Sequence, residues 1–120
     1  MRLAWVLAGA GLLALAVGCG GHGDPPVNCP QNLPTMCPAT APSFAADVKP
    51  IFDSVCTTCH APGGQMASVP FNTYAQIYGR RTTILSQVYD CVMPPVNGPQ
   101  LSDEQRTTLM TWFVCGAREN

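Results

Sequence analysis

Five residues near the middle of the chain, Cys56-Thr57-Thr58-Cys59-His60, constrain the fold more than any other stretch. Two thiols three residues apart, followed at once by an imidazole, suit three chemistries: a zinc site, a thiol–disulfide couple, or covalent attachment of a haem. Zinc needs two further ligands, usually a close Cys or His pair. The only other histidine is His22, and Cys29, Cys37, Cys91 and Cys115 are widely separated. A thioredoxin-like couple needs a βαβ context, and no strand pattern is convincing anywhere. Haem attachment needs only what is present. Both thiols add across vinyl groups as thioethers, the imidazole reaches iron, and one helical turn puts Cys56, Cys59 and His60 on one side of the backbone. One covalent haem c is therefore the expected cofactor.

The beginning of the chain points to export. Arg2 is followed by an uninterrupted apolar run over residues 3–17, the length of a signal-peptide core and short for a spanning helix. The run ends in LAVGC, which resembles a bacterial lipoprotein signal: residues 1–18 are removed and Cys19 becomes the lipidated N-terminus. A plain secretory signal cleaved nearby is the alternative. Either places the chain outside the cytoplasm, and the first places it on the periplasmic face of a membrane or in the cell envelope, lipid-anchored. The formal net charge is −1, which lacks the clustered basic face that nucleic acid requires.

Composition then divides the rest. Six of the 24 residues from Gly20 to Ser43 are proline, and no apolar period runs through them, so residues 19–43 read as a stiff tether. Residues 44–117 read as the domain and 118–120 as a short tail. Val48, Ile51, Phe52, Val55 and Cys59 share a helical face. Pro50 is tolerated only in a first turn, so this helix either starts near Asp47 or has a distorted first turn. Tyr74, Ile77, Tyr78, Ile84, Leu85 and Val88 mark a second helical region that Gly79 is able to divide. Ser102 and Gln105 form a capping box for a last helix, with Asp103 and Glu104 in its first turn. Leu109, Trp112 and Phe113 lie on one face of it, and Gly116 suits the position after its end. Three or four short helices joined by Pro/Gly loops make an all-α core that is small on its own, which suits a fold packed around a large apolar cofactor.

A second axial ligand would complete the iron. Met36 lies in the tether, Met66 is only six residues past His60, and Met110 lies mid-helix. Met93 is far enough along the chain to cross the haem, and Pro94-Pro95 stiffen its loop; His/Met is an established haem pair. A core gap-filler is the bland reading of the same methionine.

With these residues in hand, residues 44–117 resemble a single-haem class I cytochrome c domain. The matching pieces are Pro50-Ile51-Phe52, Cys56 to His60, Met93-Pro94-Pro95, Leu101 to Ala117, and Phe71 to Ile77 as the post-haem helix. The resemblance implies thioethers at Cys56 and Cys59, iron ligation by His60 and Met93, and crossing of the first and last helices. It also implies that Phe52 packs at that crossing against Trp112 or Phe113. Val48 stands where the family often has glycine, which implies a looser or displaced contact. The short segment between His60 and Met93 implies an exposed haem edge.

Setting aside Cys19, Cys56 and Cys59 leaves four cysteines and three possible pairings. Closeness in sequence favours Cys29–Cys37, leaving Cys91–Cys115; free buried thiols are the alternative. Arg80-Arg81 reads as a solvated face, or as a partner for haem propionates or a docking surface. The expected function is single-electron transfer by a membrane-anchored c-type cytochrome, with redox proteins as partners at the exposed haem edge and no enzymatic activity. The competing readings are a haem protein with an open or labile sixth site, and a structural lipoprotein with a zinc or disulfide knot.

Overall fold

The computed structural model describes residues 29–120; the signal segment, Cys19 and His22 lie outside the described residues. Among the described residues the structure is helical, without strands, and no helix is long and apolar enough to cross a membrane. A continuous helical segment, residues 44–56 (α1), is followed by α2 (Tyr74–Gly79), α3 (Arg81–Tyr89) and α4 (Asp103–Val114).

α1 starts earlier than Asp47 and is distorted on both sides of Pro50. Phe44–Val48 and Phe52–Cys56 are π-helical, and only Lys49–Ile51 between them is α-helical. In an α-turn the proline ring would meet the carbonyl four residues back; wider turns relieve that contact. Ser43 caps the start, its hydroxyl accepting from the Ala46 amide at 3.3 Å. The chain end supplies further caps. The Asn120 side-chain oxygen accepts from the Phe44 amide (3.0 Å), and its carbonyl accepts from the Ser43 hydroxyl (2.8 Å). Asn120 thus satisfies amides that every helix start leaves open.

The α2–α3 break falls at Arg80, whose backbone leaves the helical region (φ −117°, ψ 11°) immediately after Gly79. Thr73 and Gln76 form a second capping box ahead of α2. α4 begins with the expected box: the Ser102 hydroxyl accepts from the Gln105 amide (3.1 Å), and the Gln105 side chain accepts from the Ser102 amide (2.9 Å). It ends at Gly116 (φ +87°), where the Gly116 amide donates to Phe113 and the Ala117 amide to Trp112, the paired bonds of a Schellman motif.

α1 and α4 pack together, as do α3 and α4. Val48, Phe52, Ile77, Leu109, Met110 and Trp112 are fully buried between them. The aromatic at the α1–α4 contact is Phe44, not Phe52. Its ring lies 5.7 Å from Trp112 and 5.1 Å from Tyr74. The ring pair that Phe52 makes is with Phe71, at 6.0 Å.

The disulfide pairing also differs from expectation. The bonds are Cys29–Cys91 and Cys37–Cys115, not Cys29–Cys37 and Cys91–Cys115. Prolines 30 and 34 keep the intervening chain extended rather than looped. Cys91 lies beside Arg106, which bonds the Tyr89 carbonyl. Nine residues of helix, about 13 Å, then separate that point from Cys115, too far for direct bonding. Residues 29–37 cover this distance as a strap along the domain.

Candidate functional site

The α1 segment delivers the CTTCH residues to the edge of a cavity. The Cys56 carbonyl accepts from the amides of both Cys59 (3.2 Å) and His60 (2.9 Å), which curls the motif into one turn. The Cys59 carbonyl accepts from Met66 (2.9 Å). Gly64 passes so close that a Cβ there would stand 2.3 Å from that same carbonyl oxygen. Only glycine allows the loop to fold back this tightly on the motif.

His60 is held from two sides. Its ring stacks on Phe71 at 4.4 Å, and its Nδ1 lies 2.8 Å from the Val69 carbonyl. A carbonyl only accepts, so Nδ1 carries the proton in the neutral ring and Nε2 keeps its lone pair. This is the arrangement that orients and strengthens a metal-ligating imidazole. Cys56 is a free thiol, and burial pushes it up to about 12, so the folded chain holds it protonated and unreactive at neutral pH. Cys59 is buried, and its sulfur is disulfide-bonded in this structure; a thioether there requires its prior reduction.

The cavity these residues line has a volume of about 230 Å³. Phe52, Val55, Cys56, Cys59 and His60 form one wall, with Val69 and Phe71 beside them. α3 contributes Thr83, Ile84, Gln87 and Val88, and α4 contributes Leu109. Met93, Pro94 and Pro95 form the wall from the loop after α3. The lining is almost wholly apolar, and Arg80 is its single charged residue.

Of the four candidate methionines, Met93 alone lines this space. Met110 is buried in the core at 1% exposure, Met36 is 76% exposed, and Met66 lies in the loop after the motif. The Met93 loop is fixed by its backbone. The amides of Val92 (2.9 Å) and Met93 (3.0 Å) both donate to the Gln87 carbonyl, and the Met93–Pro94 bond is cis. The Gln100 side chain donates to the carbonyls of Pro95 (2.7 Å) and Gly98 (2.9 Å), closing the loop behind.

Other expected positions separate. Phe52 lines the cavity, whereas Trp112 and Phe113 sit in the core of α4 and do not. Arg80 and Arg81 do not act as a pair: Arg80 reaches the cavity rim, while Arg81 turns outward, bonding the Tyr78 carbonyl (3.0 Å) and lying 4.1 Å over the Tyr78 ring. Among the described residues no group of three or more His, Cys, Asp or Glu side chains is placed to hold a metal ion.

One buried group was invisible to sequence reasoning. Arg106 is only 8% exposed. Its guanidinium donates to the carbonyls of Val88, Pro30 (2.6 Å) and Tyr89 (3.1 Å), and burial lowers its pKa from the usual arginine range. In sequence it looks like one more polar residue of an exposed helix turn; no local pattern marks it.

Compared with known proteins, the chain matches no family model, no curated protein and no solved structure.

Proposed function

We propose that this protein is an exported, membrane-anchored c-type cytochrome that transfers single electrons through one covalent haem. The observation that carries the reading is one apolar cavity lined both by Cys56, Cys59 and His60 and by Met93-Pro94-Pro95. The donor set suits the group once Cys59 is reduced: two cysteines for thioethers, an imidazole with Nε2 free for iron, and a thioether sulfur on a stiff loop.

When bound, the haem supplies reversible one-electron cycling of its iron; the protein supplies attachment, orientation and environment. Cys56 and, after reduction, Cys59 would hold the ring covalently. Val69 and Phe71 fix the His60 ring, the Gln87 carbonyl fixes Met93, and the apolar lining excludes water. Arg80, the charged residue of the lining, would be available to neutralise a propionate. The open mouth gives redox partners access at a weak, transient contact, and Cys19 is the proposed lipid anchor to a bacterial membrane.

Expression of the full chain with haem-attachment machinery tests this. Haem that stays with the chain through a denaturing gel, a sharp reduced α-band and the weak far-red band of a methionine–iron(III) bond are expected. Met93→Ala should abolish the far-red band and open the iron to added ligands. A high-spin parent spectrum would favour a labile sixth site used for ligand binding or catalysis. Absence of covalent haem would sink both haem readings and leave a structural lipoprotein.

A further inference from the structure

We propose that Arg106 is a positioning residue for the sixth iron ligand: it fixes the Met93 loop against the cavity from behind. The inference rests on the haem reading above. Arg106 is more than nine-tenths buried, and among the described residues no carboxylate forms an ion pair with it. A buried guanidinium is costly unless its N–H groups are used; here both Nη groups donate to main-chain carbonyls, while the buried Nε has no partner. Val88 and Tyr89 belong to the last turn of α3, and Pro30 to the strap.

These carbonyls flank the points from which the Met93 loop hangs. Gln87, which accepts from the amides of Val92 and Met93, directly precedes Val88. Cys91 directly follows Asp90, and its disulfide partner Cys29 directly precedes Pro30. Arg106 also lines, with Cys91, Met93, Pro94 and Leu101, a smaller recess on the loop. The loop therefore has the haem cavity on one side and Arg106 on another. Nη2 bridges the strap and the α3 end, and Nη1 adds the Val88 carbonyl; the single, compact ammonium of lysine lacks this second donor nitrogen.

Two variants of the full chain, Arg106→Lys and Arg106→Gln, test the idea with two readouts. In the haem-free chain, hydrogen exchange at the Val92 and Met93 amides should accelerate tenfold or more while the Thr57 amide of the α1 end is unchanged. In the haem-loaded chain, affinity for added imidazole should rise tenfold or more. Phe44→Ala, which loosens the core elsewhere, should not raise it. Uniform acceleration at all amides, or unchanged imidazole affinity, would overturn the proposal. If the parent attaches no haem, the functional reading fails with the ligand role. The exchange readout still decides whether Arg106 anchors the loop.

Discussion

Removing the Cys37–Cys115 bond by the double substitution Cys37→Ser/Cys115→Ser has a magnitude fixed by how much chain the bond closes. The two cysteines are 78 residues apart. With Cys29–Cys91 intact, the shortest loop this bond closes is 32 residues (8 from 29 to 37 plus 24 from 91 to 115), for which loop-closure entropy gives about 3.7 kcal/mol at room temperature, against about 2.5 for an eight-residue Cys29–Cys37 loop. A domain of this size is stabilised by roughly 5–14 kcal/mol in total, so the loss should remove a large share of it. Guanidinium unfolding of the oxidised variant should show a much lower midpoint. The slope should rise, because the released unfolded chain exposes more surface. Tryptic peptides mapped without reduction provide a second check. Cleavage after Arg81 and Arg106 leaves Cys29 and Cys37 on one peptide, Cys91 on the next and Cys115 on the last. The observed bonds hold all three together. A first peptide released from a linked Cys91–Cys115 pair, or a stability loss under about 1 kcal/mol, would refute the connectivity and its energetics.

Three further outcomes are expected. Phe44→Ala should cost about 3–5 kcal/mol, since its ring is 7% exposed between Tyr74 and Trp112; thermal or denaturant unfolding reads this directly. Ser102→Ala removes the hydroxyl that accepts from the Gln105 amide and should cost about 1 kcal/mol, an effect that Ser102→Asp should largely spare. Gly64→Ala drives a Cβ into the Cys59 carbonyl. It should lower both stability and haem yield, and an unaltered yield at unaltered stability would count against the close approach.

What was legible in the sequence was what local chemistry decides. The Ser102–Gln105 box, the helix end at Gly116 and the break after Gly79 all depend on neighbours within five residues, and each stands where expected. The motif and the Met93-Pro94-Pro95 loop were singled out in the sequence as haem ligands, and Cys56, Cys59, His60 and Met93 line one cavity in the structure. The misses share a different cause. Phe44, the Asn120 caps, the grip of Arg106 and both disulfides join segments more than 15 residues apart. Nothing near Arg106 in sequence tells that Pro30 will lie against it. Closeness in sequence suggested Cys29–Cys37, but a proline-stiffened segment spends its length on reach rather than on closing back. Pro50 was legible as a conflict, and the π-turns that resolve it required the surrounding packing to pay their cost.

The strap changes how far the domain can stand from a membrane. Counted from the proposed anchor at Cys19 to the start of α1 at Phe44, a free tether of 25 residues (44 − 19) could extend about 90 Å. The Cys29–Cys91 bond moves the point of departure to the edge of the Met93 loop. Ten residues (29 − 19) then remain, with a reach of about 36 Å at most. That leash is comparable to the width of a small domain, so the cavity mouth would stay near the lipid surface and sample a narrow range of orientations. Partners embedded in or lying on the same membrane would meet it often, while partners across the compartment would have to come to it.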